Sequence, residues 1–137
     1  MIVLAATALI AGCSSEYWSC IAAARSVSGL SLALPVTVDS CTGLRSVATE
    51  LIVRLDSAGL MTAISEAKQR HFLPVDSLAG IDRVNDNNFM TNDAIARRLK
   101  VQHGWYLSSL GVDPNGGYRL VVIDSVGKRV LIERSSM

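Results

Sequence analysis

Three cysteines and two histidines carry most of the reactive chemistry this chain offers. A thiolate is a nucleophile and a metal ligand, and two thiols can oxidise to a disulfide. The cysteines are Cys13, Cys20 and Cys41. No C-x-x-C spacing occurs, and His71 and His103 lie far from all three, so no metal site is expected. An odd count leaves one thiol over. With Cys13 engaged elsewhere, Cys20 and Cys41 are expected to pair. Their link would close a loop of about 20 residues, worth roughly 3 kcal/mol in chain entropy. In a reducing compartment all three would instead be small buried hydrophobes.

His71 and His103 are the side chains that titrate naturally near neutrality. A hydrolase needs a nucleophile with a base in reach. His103, with Ser108, Ser109 and Asp124 downstream, could supply such a set, and a small exported hydrolase using His103 is the alternative reading. Against it, His103 is expected in the last turn of a helix, where histidine suits the C-terminal end. Neither G-x-S-x-G nor H-E-x-x-H occurs. No catalytic residue and no cofactor is therefore assigned. Asp82 to Asn88 offers oxygen ligands but lacks the spacing of a calcium loop, so it reads as a solvated loop. Arg97, Arg98 and Lys100 form a small basic face, the candidate surface for an acidic partner. It is too small for nucleic acid and lacks aromatic stacking platforms.

What precedes Cys13 gives that thiol its reading. No charged residue occurs before Glu16, and the first twelve residues form an apolar run capped by Gly12. Such a run is too short to span a bilayer, which needs about 20 residues. It matches the apolar region of a secretory signal. Ile10-Ala11-Gly12-Cys13 resembles the bacterial lipobox, where cleavage precedes the cysteine and lipid joins its sulfur. Export would also make the Cys20–Cys41 pair permissible. A signal of this kind opens with Lys or Arg, and none is present; either the start lies upstream of Met1 or the signal is weak. The alternative is a cytosolic structural subunit in which residues 1–12 form a buried strand or helix.

These sites need a frame. The chain has 137 residues, half of them hydrophobic, with a formal charge of +1, which fits one folded domain and excludes general disorder. Residues 1–12 are assigned to the signal, 13–29 to an anchor and tether or short helix ending at Gly29, and 30–137 to a small α/β domain. Leu30 to Val38 alternates apolar and small or polar residues, predicting an edge strand with Pro35 in it. Asp39 to Leu60 is expected as a helix, with Leu44, Val47, Ala48, Leu51 and Leu55 on one face, Ser40 or Thr42 as cap and Gly59 as terminator. One short strand is expected at Leu60–Ile64 or Phe72–Val75, then a long loop. Thr91 or Asn92 to Gly104 predicts a second helix, with Ile95 and Leu99 facing inward. Three strands follow, Trp105 to Asp113, Tyr118 to Ser125 and Arg129 to Arg134, joined by turns at P-N-G-G and V-G-K. The expected fold is α/β: a mixed sheet with helices packed on one face and a C-terminal antiparallel three-strand meander.

Three stretches carry a family resemblance: T-E-L-I-V-R-L-D-S-A-G-L at Thr49 to Leu60, D-A-I-A-R-R-L-K-V-Q-H-G-W-Y-L at Asp93 to Leu107, and Y-R-L-V-V-I-D-S-V-G-K-R-V at Tyr118 to Val130. Their order resembles the small periplasmic α/β domain of the TolB amino-terminal, CsgG and FlgO-like proteins and the lipoprotein activators of penicillin-binding proteins. The likeness spans about 100 residues and departs from the family at Val101-Gln102-His103-Gly104 and at Pro35. It implies no catalytic residues. It implies docking on an envelope protein partner, and several members are lipoproteins; the lipobox-like stretch adds the expectation of an anchor through acylated Cys13 on the periplasmic side of the outer membrane.

Overall fold

The computed structural model describes residues 2–44, 48–75, 101–110 and 117–135, with side chains described from Ser15 onward in α1 and not at 108–110 or 118. Alanine-rich sequence at both ends of the first segment favours helix. Residues Ile2–Ser28 accordingly form one 27-residue helix, α1. Gly29 ends it at φ +72°, its N–H bonded to the Arg25 carbonyl at 2.9 Å. Arg25, in the last turn, then donates to the Ser31 and Leu32 carbonyls at 3.0 and 3.1 Å, which fastens the chain leaving the helix. Cys20, Ile21, Ala24 and Val27 form the buried stripe at helical spacing.

The alternation over Leu30 to Val38 is only partly a strand. β1 spans Val36–Thr42, beginning after the cis Leu34–Pro35 bond. Leu30 and Leu32 are buried at 1% and 2% as core plugs below the end of α1, without a ladder. Alternation therefore reported burial at Leu30, Leu32 and Val36, but not at Leu34, which is 52% exposed beside the cis bond, and it did not report pairing.

The helix expected over Asp39 to Leu60 is not formed. That stretch contains most of β1, all of β2 (Ala48–Leu55) and the first turn of α2 (Ser57–Gln69). Leu51 and Leu55 satisfy a spacing of four in a helix and of twice two in a strand. Val53 decides between them. Leu51, Val53 and Leu55 are all buried, while Arg54 is exposed. The β-branched residues Thr49, Ile52 and Val53 favour this pleated surface. Leu44 and Ala48, expected inside, are exposed. The helix cap is Asp56, whose Oδ1 accepts from the Gly59 N–H at 2.7 Å, so Gly59 opens α2 instead of ending a helix. Leu60, Ala63 and Ala67 face the core from α2, which excludes a strand at Leu60–Ile64. Of the two short-strand sites, Leu73–Val75 is occupied, as β3.

The helix expected from Thr91 lies outside the described residues over 91–100. Its expected end is corrected: residues 101–103 are not helical, and Gly104 opens β4 (Gly104–Leu110). A Cβ on Gly104 would sit 1.7 Å from the Ile123 carbonyl oxygen, so the glycine is required by backbone approach. β5 (Tyr118–Asp124) and β6 (Arg129–Ser135) complete the expected meander. Asp124 Oδ1 accepts from the Val126 and Gly127 N–H groups at 3.1 and 3.0 Å, building the turn between them.

The strands form one sheet in the order β1-β2-β6-β5-β4-β3. Every described pairing is antiparallel, a narrower pattern than the mixed sheet the sequence suggested. Both helices pack on one face, over Leu51, Val53, Leu55, Val121, Ile123, Val130 and Ile132. The opposite face buries Val75, Val101, Tyr106, Leu120, Val122 and Leu131. The small α/β class, the one-sided helices and the C-terminal meander are thus as expected.

Candidate functional site

Chemistry and placement converge where α1 meets the edge strand. Cys20 and Cys41 are joined in a disulfide, with Cα atoms 6.1 Å apart. Cys20 comes from the buried stripe of α1 and Cys41 from β1. Cys20 is only 2% exposed, and the link borders the larger hydrophobic cluster. One turn earlier, the Tyr17 hydroxyl donates to the Val36 carbonyl. α1 is therefore clamped twice to β1, once covalently and once by a hydrogen bond.

Farther along the helix, Arg119 of β5 donates to the Val27 carbonyl at 3.1 Å. Between Tyr17 and Val27 a helix rises about 15 Å. From β1 to β5 there are three strand spacings, about 14 Å. The helix thus crosses the strands, and it enters the domain over the β1 edge. Cys13 precedes Tyr17 by four residues in α1.

Trp18 is 47% exposed and stacks edge-on against Tyr17, ring centroids 5.1 Å apart. On the other flank of α1, Ser15, Glu16, Ser19 and Ala23 line an open groove closed by Leu44, which follows β1. β1 itself is irregular: its register shifts between Val38 and Ser40, and Asp39 at that bulge pairs with Arg54 at 2.8 Å. The bulge and the exposed charges disfavour pairing of this edge with another strand.

Of the residues named for a hydrolase, the side chains of Ser108 and Ser109 lie outside the described ones, and the structure places His103, Asp124 and His71 as follows. His103 precedes β4 as an exposed residue, not in the last turn of a helix. Its backbone carbonyl accepts from the Ser125 hydroxyl and N–H at 2.8 and 3.0 Å. Asp124 is committed to its own turn and to Arg129, whose Nη2 lies 3.2 Å from Oδ2. His71 is exposed in the turn after α2 at φ +66°. Among the described residues, no group of three His, Cys, Asp or Glu could hold a metal ion. Arg97, Arg98 and Lys100 lie outside the described residues.

Sequence reasoning found Cys20 and Cys41 but missed the Tyr17 clamp, the bulge at Asp39 and the Leu44 flank. A phenol three residues before a cysteine, on the same helical face, was the available signal for the first. The segment matched as a family helix at Thr49 to Leu60 is β2 followed by the start of α2. No described helix is long and apolar enough to cross a membrane. No known family model matches the chain, and neither a curated protein nor a solved structure is significantly similar to it.

Proposed function

We propose that this chain is the precursor of a bacterial cell-envelope lipoprotein. It is cut before Cys13, acylated on that thiol and held on the periplasmic side of the outer membrane. Its α/β domain binds a protein partner in an envelope assembly and performs no catalysis. The observation that carries this reading is the Cys20–Cys41 disulfide beside the core. Such a bond persists in an oxidising compartment and is rare in the cytosol. It accounts for two of the three thiols and leaves Cys13, after a charge-free run, as the one available for lipid. The same bond weighs against a cytosolic subunit. The engagement of Asp124 with its turn weighs against a His103 hydrolase. For the partner, the basic face of Arg97, Arg98 and Lys100 remains the proposed contact.

Intact mass of the protein isolated from bacterial membranes tests the reading. The expected spectrum shows loss of residues 1–12, added diacylglyceryl and acyl groups, and two hydrogens fewer than the reduced form. Cys13→Ala is expected to release the protein from the membrane fraction. An uncut chain with three free thiols would refute the proposal.

A further inference from the structure

We infer that the mature domain lies directly on the bilayer, with its β1 edge and Trp18 set among the lipid headgroups. The inference rests on the lipoprotein reading and adds the orientation and the lipid-facing surface. Its basis is the lack of slack between anchor and fold. From Cys13 to Tyr17 is four residues, at most about 14 Å of fully extended chain. As the helix runs, the rise is about 6 Å. Tyr17 is already bonded to the Val36 carbonyl of the edge strand, and Cys20 is bonded covalently to the same strand. A lipid on Cys13 therefore draws β1 to the membrane, because no tether separates the two.

The side chains around that point suit the position. Trp18 is half exposed, and the edge-on contact with Tyr17 fixes one side of its ring. Its apolar body and polar N–H tip fit the headgroup layer, where tryptophan and tyrosine concentrate. Trp18 stands about 7.5 Å along the helix from Cys13, within the depth of that layer. Leu44 adds an exposed apolar side chain across the helix, beside Ser15 and Ser19. The exposed Met61 and Val126 sit instead on α2 and on the turn after β5, with no such continuity to the anchor.

The test uses the acylated protein in vesicles of phosphatidylethanolamine and phosphatidylglycerol, with bromine placed near the headgroup end of the acyl chains. Trp105→Phe leaves Trp18 as the reporting tryptophan, and Trp18→Phe gives the Trp105 baseline. Bromine is expected to lower Trp18 emission about twofold, the interfacial position being where the quencher lies. Inserting about twenty Gly and Ser residues between Ser14 and Ser15 gives a reach near 25 Å and is expected to abolish that quenching while the protein still floats with the vesicles. Flotation with Trp18 unquenched and open to aqueous acrylamide would overturn the inference and leave the anchor standing. Trp18 shielded from both quenchers would also overturn it, by showing a second protein surface there. A protein without acyl mass that fails to float would overturn the lipoprotein reading and this inference with it.

Discussion

Removing the Cys20–Cys41 link is the sharpest test of how the domain is held together. The bond closes a loop over a sequence separation of 21 residues. The loop-entropy relation gives about 11 cal/mol/K for that length, or about 3 kcal/mol at 25 °C. That is a large share of the roughly 5–15 kcal/mol by which domains are stable. The double variant Cys20→Ala/Cys41→Ala avoids placing a hydroxyl at the buried Cys20 site, where an unbonded polar group would add its own cost. It should be made in a Cys13→Ala background so that no third thiol can exchange. Urea unfolding followed by tryptophan emission is expected to show a loss of about 3 kcal/mol, and dithiothreitol should lower the parent to nearly the same midpoint. The loop contains Leu30, Leu32 and Val36, all buried, so a residually collapsed loop would shrink the effect. A loss below about 1 kcal/mol in both experiments would refute the reasoning, since the link would then restrain little that the chain does not restrain already.

Gly104→Ala should be among the most damaging single changes, because its methyl would overlap the Ile123 carbonyl oxygen; a loss of about 3 kcal/mol or failure to accumulate folded protein is expected by circular dichroism. Leu51→Ala, fully buried below the helices, should cost about 2–5 kcal/mol in the same denaturation assay. Asp56→Ala removes the cap on the Gly59 N–H and should cost about 1 kcal/mol, with Asp56→Asn retaining most of it. Tyr17→Phe should cost about 1 kcal/mol through the lost bond to Val36, and should accelerate hydrogen exchange at the start of α1 more than in β5.

The C-terminal meander was legible because β5 and β6 are rich in β-branched side chains and joined by a V-G-K turn, while β4 carries the aromatics Trp105 and Tyr106. Val121, Val122, Ile123 and Val130 can do little else at that density. The thiol pairing was legible from counting, on the expectation that Cys13 is engaged elsewhere. Asp39 to Leu60 was not legible, because leucines four apart fit either period and Gly43 is the lone glycine between the end of β1 and the start of β2. The start of α2 was hidden by Gly59, which looks like a stop but sits in the first turn under the Asp56 carboxylate. The clamp of α1 onto β1 is a tertiary contact, and no local pattern encodes which strand will lie beneath a helix.

The strand order has a consequence for how the chain is made. β6 is last in the described sequence, yet it lies between β2 and β5, with Leu51 facing Ile132 and Val121 facing the same residue. Until Arg129 to Ser135 has left the ribosome, β1 and β2 are an isolated hairpin, which is marginal in water. Contacts this distant in sequence also form slowly. The six-stranded sheet therefore cannot close until nearly the whole described sequence has been made, so its two halves, β1-β2 and β3-β4-β5, wait on one late strand to join them.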